Sequence, residues 1–379
     1  MSTLKYAFAI GSAFTILTAC QPEVEEQSSS SRYLYVATGA CNNGFGITTY
    51  TGTNASNVIF RLNAESGQYE GRIADFSTVA DAPATPVSVT DFDDDYLLAL
   101  IEHGTLRRVE KIEKKLSGER TTFYNNTSAT APIGALTGVL KSIIKVSDGY
   151  LISKTTAIEK LNTSLTRVPG TGTASWVATP GGVCATANIN FNSLTTYPTT
   201  GNASGYNIVY THSAGASNAT TNRIGVINGL TGWNGTTGCV SNQSTVAAAA
   251  TPVAAVYMKN HHRLVVAYAG TNTTPQNSLY TYAIDEAATS NVISDAFKGY
   301  DDPNVIFAAS AMYYDEETSS LYVAGGAAIA TNLTTGNTVY KIEKFTYDAT
   351  TKLFTRVGSL PFYAGNIETR CISSMFVGN

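Results

Sequence analysis

The sequence predicts an all-β protein, a six-bladed β-propeller with four strands in each blade. Two observations support this fold class. Short β-branched and aromatic segments recur along the chain in the same order, and only 14% of residues are charged, well below the usual quarter. The 348 residues from Arg32 to Asn379 also exceed a typical single core, so a repeat architecture is expected.

The clearest repeated element is a strand that we label B. Arg32–Gly39 (RYLYVATG) matches Ser320–Gly326 (SLYVAGG). Four looser copies share the same β-branched and aromatic character; they are Tyr96–Ile101, Tyr150–Ser153, Tyr206–Tyr210 and Arg263–Tyr268.

A predicted strand–turn–strand hairpin, C and D, follows each B strand. The six hairpins are Val58–Gly67 with Tyr69–Phe76, Leu106–Ile112 with Thr121–Tyr124, Ala157–Leu161 with Leu165–Pro169, Arg223–Ile227 with Thr236–Val240, Leu279–Ile284 with Asn291–Ile293, and Val339–Thr350 with Leu353–Val357.

A fourth element, A, consists of apolar or small residues suited to a crowded axis. Its six copies are Pro86–Thr90, Leu140–Ile144, Ala185–Phe191, Pro252–Tyr257, Ile306–Tyr313 and Thr369–Val377. Five copies precede a B strand and the sixth ends the chain. With strands A to D counted from the axis outward, blade one therefore takes B, C and D from the start of the folded region and A from the C-terminus. Such closure would leave no long unpaired sheet edge.

One segment has an alternative interpretation. In His103–Leu116, the residues Leu106, Val109, Ile112 and Leu116 have helical spacing. We predict a strand, because the segment aligns with Val339–Phe345.

The first nineteen residues have the layout of a secretory signal: Lys5, an apolar run from Tyr6 to Leu17, and small residues before Cys20. The apolar run is too short to span a bilayer. Leu17-Thr18-Ala19-Cys20 resembles the lipobox of bacterial lipoproteins. That resemblance implies a signal peptide at 1–19, cleavage before Cys20 and acylation of this cysteine, so that the membrane is a partner through a lipid anchor. The alternative is an ordinary signal with a chance cysteine.

Residues 21–31 are polar and Ser-rich, and they predict a flexible tether. Gln21, rather than Asp, after the cysteine resembles the outer-membrane default of Gram-negative lipoproteins, with the protein facing either the periplasm or the outside. Without Lys5 the chain has 23 basic and 28 acidic residues, a net charge of −5. No basic patch predicts a nucleic-acid partner, and we expect a monomer with the propeller at 32–379.

Four cysteines remain, an even number that predicts two disulfides in an exported protein. Cys41 follows a B strand and Cys371 lies near the start of the A strand predicted to pair with it. This phase predicts a Cys41–Cys371 bond that closes blade one, and by elimination a Cys184–Cys239 bond. Free buried thiols are the alternative.

The sequence predicts no cofactor and no metal site. The four histidines are not spaced as metal ligands, and we interpret them as ordinary surface residues. Two acidic clusters, Asp91 with Asp93–Asp95 and Asp315–Glu317, lack the calcium-loop pattern and are interpreted as solvated turns. Asp301-Asp302-Pro303 is a candidate for a cation or substrate contact. No nucleophile elbow, P-loop or dinucleotide fingerprint is present, nor the motif of any specific propeller family.

The B-to-C connections are long in four blades, at Gly39–Asn57, Thr211–Asn222, Gly270–Ser278 and Gly325–Thr338. They consist mainly of Gly, Asn, Thr, Ser and Ala, and binding residues concentrate in loops on rigid scaffolds. We therefore predict one polar crescent on one face, with contact candidates His212, Asn218, Asn272 and Asn332. The predicted function is a non-catalytic binder of a protein, peptide or glycan. The alternatives are spacer loops without function, or an exported hydrolase or lyase with its site at the channel mouth.

Overall fold

The fold was obtained as a computed structural model, and every blade in it is an antiparallel sheet. The residues that the structure describes are 31–39, 57–76, 84–103, 106–125, 138–168, 191–200, 203–212, 222–229, 239–244, 251–269, 278–302, 305–326, 340–364 and 371–379.

Within the described residues, twenty-five strands form six sheets, one for each blade, ordered here from the axis outward. Blade one is β25 (Cys371–Gly378), β1 (Tyr33–Gly39), β2 (Val58–Asn63) and β3 (Tyr69–Asp75). Blade two is β4 (Thr85–Asp91), β5 (Tyr96–His103), β6 (Leu106–Glu113) and β7 (Arg120–Asn125). Blade three is β8 (Leu140–Val146), β9 (Gly149–Lys154), β10 (Ile158–Leu161) and β11 (Arg167–Val168).

The second half of the chain repeats the order. Blade four is β12 (Phe191–Pro198), β13 (Tyr206–His212), β14 (Arg223–Asn228) and β15 (Cys239–Ser244). Blade five is β16 (Thr251–Met258), β17 (Arg263–Ala269), β18 (Ser278–Ile284) and β19 (Ile293–Asp301). Blade six is β20 (Phe307–Asp315), β21 (Ser320–Gly326), β22 (Tyr340–Asp348) and β23 (Leu353–Arg356), with a short β24 (Tyr363–Ala364) that also pairs with β22.

The six innermost strands contact one another in sequence, from β25 through β4, β8, β12, β16 and β20 back to β25. The ring is therefore closed, and the predicted fold class is confirmed. Closure uses the predicted device, because β25 pairs with β1 from Tyr33 opposite Gly378 to Gly39 opposite Cys371. Within the described residues the helical content is one 3-10 turn at Lys259–His261.

The core is divided among the blade interfaces. Six apolar clusters form, one between each pair of neighbouring blades. At the closing seam, for example, Leu34 and Phe60 of blade one pack with Tyr322 of blade six, all of them fully buried. Burying an aliphatic or aromatic side chain of this size contributes about 1.5–3 kcal/mol, so each seam is stabilised by its own apolar contacts.

The helical alternative for His103–Leu116 is wrong, since β6 pairs with both β5 and β7. The helical spacing has a simple cause. Val109 packs against blade three, and Ile112 packs against blade one on the opposite side of blade two. Strands of a blade are buried on both faces, so apolar residues three apart are compatible with a strand there.

Three predicted strands lie elsewhere. The A strand of blade four was placed at Ala185–Phe191, but β12 begins at Phe191; residues 185–190 are outside the described part. The D strands of blades four and five were placed too early, because β15 begins at Cys239 and β19 runs on to Asp301. Asp301 therefore ends a strand and pairs with Lys298 at 2.5 Å, while Pro303 lies outside the described residues.

Candidate functional site

A central channel of about 370 Å³ is the cavity around which the blades are arranged. Its walls are the inner strands of all six blades. Hydroxyl side chains are prominent in that lining; they are Ser88, Thr90, Ser142, Ser193, Thr195, Ser310, Ser373 and Ser374.

The serine positions follow from a backbone irregularity that all six blades share. In every blade the pairing of the A and B strands shifts register near the start of the A strand. A shift of this kind re-aims side chains. In blades one to four the residue after the shift is a serine, namely Ser374, Ser88, Ser142 and Ser193.

Serine hydroxyls at this level connect neighbouring blades, and we call them the serine girdle: Ser88, Ser193, Ser310, Ser373 and Ser374. The Ser88 hydroxyl accepts the amide N–H of Ile143 in blade three at 3.1 Å. Ser193 accepts the N–H of Ala255 in blade five at 3.1 Å, and Ser310 donates to the carbonyl of Ile372 in blade one at 2.7 Å. The girdle's hydroxyls are thus used in holding the axis together, and the bonds described for them reach no histidine or carboxylate.

The ring has two faces, named here by their connections. The A–B face carries the turns from A to B strands, and the B–C face carries the B-to-C connections. The described strand ends show which blades bear the long connections. In blade two, two residues separate His103 from its partner Leu106, and in blade three, three residues separate Lys154 at the end of β9 from the start of β10. In blades four, five, six and one, the two strands are joined through segments that lie outside the described residues.

Only one of the four predicted contact residues lies in the described part. His212 is the last residue of β13 and is fully buried, so the interpretation of this histidine as a surface residue is wrong. The strand continues two residues beyond Tyr210, and His212 pairs with Arg223 and Phe191. Asn218, Asn272 and Asn332 lie outside the described residues, so their role as contacts stays a prediction.

Near the B–C end of the channel, Lys141 lines the cavity beside the partly buried carboxylate of Glu102. Glu102 accepts the N–H of Leu140 at 2.7 Å and lies 3.5 Å from the guanidinium of Arg107. Burial raises the pKa of Glu102, against the effect of those partners, and burial lowers the pKa of Lys141, against the charge of Glu102. Sequence reasoning missed this pair, because the two residues are on different blades.

On the A–B face the acidic cluster of blade two is part of an ion-pair network. Asp91 bonds with Lys114 at 2.8 Å and with Lys145 at 2.5 Å, which connects blades two and three at the channel rim. Asp93 accepts the N–H groups of Asp95 and Tyr96, as an Asx turn does. The interpretation as solvated turn residues holds for Asp93–Asp95, whereas Asp91 connects blades two and three.

The second acidic cluster is divided in the same way. Asp315 is buried and binds both terminal nitrogens of Arg32, at 2.8 and 2.7 Å. Interpreting Asp315 as a solvated turn residue is therefore wrong. Glu316 accepts the N–H groups of Lys259 and Asn260, whereas the Glu317 side chain is largely exposed.

Three titratable side chains converge on the A–B face, and one of them, Tyr257, also lines the channel. The carboxylate of Glu286 is bonded to the hydroxyl of Tyr257, which lines the channel, and lies 2.9 Å from Nδ1 of His262. Burial and the bond to Glu286 raise the pKa of Tyr257, so this phenol stays protonated. His262 has a left-handed backbone, with φ of 51°. This conformation is uncommon outside glycine, and such residues cluster at functional sites.

Within the described residues, no group of three or more His, Cys, Asp and Glu side chains is arranged to hold a metal ion. In the same part of the chain, no helix has the length and apolarity required to cross a membrane. Residues 1–30, with the lipobox and Cys20, lie outside it.

The cysteines are partly described. Cys371 is buried and begins β25, where it pairs with Gly39, two residues before Cys41. Cys239 begins β15. Cys41 and Cys184 lie outside the described residues, so both pairings stay predictions.

Comparison with known proteins finds only distant structural likenesses. The sequence matches no protein-family model and no curated protein. Among solved structures it resembles a periplasmic gluconolactonase of Pseudomonas aeruginosa, with 9% identity and a TM-score of 0.49 over 92% of this chain and 99% of that one.

Two further structures have similar scores. A protein of Lactobacillus plantarum has 10% identity and a TM-score of 0.49, again over 92% of this chain and 99% of the other. A protein assigned as a 6-phosphogluconolactonase, from Bacteroides uniformis, has 13% identity and a TM-score of 0.44 over 88% and 99%. At these values nothing about substrate or activity carries over to this chain.

Proposed function

We propose that this chain is an exported lipoprotein of the bacterial outer membrane whose propeller is a binding module for a protein, peptide or glycan. Its ligand surface is the crescent of long connections on the B–C face. The observation that supports the crescent is the order of the blades around the ring. The strand ends that bear long connections belong to blades four, five, six and one, which are consecutive in the closed ring.

The channel itself is less suited to chemistry. Its mid-section presents hydroxyls already bonded to the backbone of neighbouring blades. General acid–base catalysis needs a titratable group within hydrogen-bond reach of the reacting atom, and the titratable groups described for the channel lie near its two ends. Loops on a rigid scaffold are the more usual place for binding residues.

The crescent is tested by shortening two of its members. Residues 213–222 and 327–339 would each be replaced by Asn-Gly, a pair suited to a two-residue hairpin. Blade two is the precedent in this chain, since two residues join His103 to Leu106. Loss of ligand capture from envelope extract or a glycan array, with melting unchanged, is the expected result. Equal capture by trimmed and intact proteins would refute the crescent.

The anchor is tested by Cys20→Ser. Acylation of Cys20 would hold the protein at the membrane, so the variant is expected in the soluble export fraction. A Cys20→Ser protein that still sediments with membranes after a high-salt wash would refute the lipobox interpretation.

A second candidate, a hydrolase or lyase at the channel mouth, is favoured by one observation, the convergence of Tyr257, Glu286 and His262. A carboxylate between a phenol and an imidazole would take up and release a proton at the rim. Glu286→Gln keeps the shape of the side chain and removes its charge. Turnover of an exported substrate that survives loop trimming but falls at least tenfold in Glu286→Gln would establish this function in place of the first.

A further inference from the structure

The channel contains a lysine that the proposed function does not use. Lys141 is the second residue of β8, the innermost strand of blade three, and its side chain lines the channel near the B–C face. Burial lowers the pKa of Lys141, against the charge of Glu102, which raises it. The ammonium group therefore lies where water solvates it poorly, and an anion in the channel would stabilise its charged form.

Glu102, the carboxylate that attracts Lys141, is engaged by two other donors. It accepts the N–H of Leu140 at 2.7 Å, and the guanidinium of Arg107 lies 3.5 Å from the same oxygen. Lys141, Arg107 and Glu102 together carry a net charge of +1. Attraction between charges is stronger in a partly desolvated site than in water, so these three groups favour a monoanion at this end of the channel.

The second lysine of the channel wall has a different environment. Lys145, near the A–B face, bonds with Asp91 at 2.5 Å and with the carbonyl of Phe92 at 2.9 Å. Its side chain is 45% exposed, and exposed ion pairs contribute little. An anion in the channel would therefore gain less from Lys145 than from Lys141, which makes Lys145 a matched control.

The walls of the channel determine the body of the ligand. The volume of about 370 Å³ is in the range of small-molecule sites, which are mostly apolar with a few polar groups. Ile144 of blade three and Val256 of blade five line the part toward the A–B face. The hydroxyl of Ser142 shares a 2.7 Å hydrogen bond with Ser153 of the same blade, and the serine girdle is bonded between blades. Because these hydroxyls already have partners, the walls suit an apolar chain better than a polyol.

We infer that the channel binds a small aliphatic carboxylate, whose head group lies at Lys141 and whose chain follows the axis toward Ile144 and Val256. The carboxylate supplies the single negative charge, and the chain contacts the aliphatic part of the wall. This site is separate from the crescent and depends on neither the lipid anchor nor the long connections. A failure of the proposed function therefore leaves this inference standing, and the reverse also holds.

The probes are hexanoate, hexanamide and acetate, with affinities measured by isothermal titration calorimetry on the full chain at neutral pH. Hexanamide keeps the chain without the charge, and it should bind at least about tenfold more weakly than hexanoate, because a hydrogen bond to a charged group contributes at least that factor. Acetate keeps the charge with almost no chain. It should also bind at least about tenfold more weakly, since each buried CH₂ group adds roughly fourfold. Absence of hexanoate binding, or equal affinity for either analogue, would overturn the inference.

Two lysine variants locate the head group. Lys141→Gln should weaken hexanoate binding by at least about tenfold and leave hexanamide binding within about twofold of wild type. Lys145→Gln should change hexanoate binding by less than about twofold, and Asp91 keeps its bond to Lys114 in that variant. Melting is compared with wild type for each, and Lys141→Met, whose apolar side chain needs no partner, replaces Lys141→Gln should that variant be unstable. Unchanged hexanoate affinity without the Lys141 charge, or an equal loss in Lys145→Gln, would overturn the inference.

Discussion

The contact between Arg32 and Asp315 crosses the seam at which the ring closes, and its loss should be measurable. Asp315 is in blade six and its side chain is 3% exposed, whereas Arg32 precedes the first strand of blade one and its side chain is 21% exposed. Arg32→Ala would leave a buried carboxylate without its cation, a change that costs about 3–5 kcal/mol. We expect the lower end, about 3 kcal/mol, because Thr318 still donates to Asp315 at 2.5 Å.

For 348 residues, an unfolding entropy of about 2.1 cal/mol/K per residue converts 3 kcal/mol to a decrease in Tm of about 4 °C. Asp315→Ala should cost less, about 1–2 kcal/mol, since the arginine that remains is partly exposed and still near Glu317. Urea unfolding followed by circular dichroism, with calorimetry for Tm, measures both.

The effect should depend on pH. Burial opposes ionisation of Asp315, but hydrogen bonds from Arg32 and Thr318 outweigh it and lower the pKa of this carboxyl. A lowered folded-state pKa gives stability that is present above the unfolded value, about 3.9, and lost as pH falls through the folded value. The difference between wild type and Arg32→Ala should therefore be full at neutral pH and shrink as the pH falls, because protonation relieves the buried carboxylate of the variant and removes the contact of the wild type.

The matched control is Lys298→Ala, which breaks an ion pair whose side chains are 47% and 45% exposed. Exposed pairs contribute little, so we expect a change below about 0.5 kcal/mol. If Arg32→Ala were as mild as this control at neutral pH, the seam contact would not stabilise ring closure.

Three further predictions concern other contacts of the ring. A Cys41–Cys371 bond would stabilise the fold by on the order of 5 kcal/mol at most, and non-reducing peptide mapping that links Cys41 to Cys184 or Cys239 would exclude it. Ser88→Ala leaves the Ile143 N–H without its acceptor and should lower the free energy of unfolding in urea by about 1–3 kcal/mol. The control Ser147→Ala, on an exposed turn, should leave it unchanged. Equal effects of the two variants would show that the serine girdle does not stabilise the fold. Gly225→Ala would place a methyl group against the ring of Tyr210, so we expect a loss of about 1–3 kcal/mol, and a melting temperature equal to that of wild type would contradict this packing.

The sequence was sufficient for the architecture because blade strands carry strong local signals. B strands such as Tyr33–Gly39 are buried on both sides and read as β-branched and aromatic runs. D strands are the outermost and are polar, as in Ile293–Asp301, where most side chains are at least partly exposed. Their boundaries were placed wrongly because an exposed strand carries no apolar periodicity.

The candidate sites were harder to predict because they depend on contacts between blades. Nothing local distinguishes Asp315, which is buried against Arg32, from Glu317, which is exposed two residues later. Tyr257 and Glu286 are 29 residues apart and meet only in the folded blade. The serine girdle is hidden for the same reason: small residues predicted a crowded axis, but the bonds of Ser88 and Ser193 are made to other blades.

For the exported protein proposed above, the pairing of β25 with β1 also sets an order of events. A protein that crosses a membrane unfolded must not complete its fold before the last segment has emerged. Here blade one stays one strand short, and its β1 edge unpaired on the axial side, until Cys371–Gly378 is available. The ring can therefore close only after the eight-residue β25 is available to pair with β1.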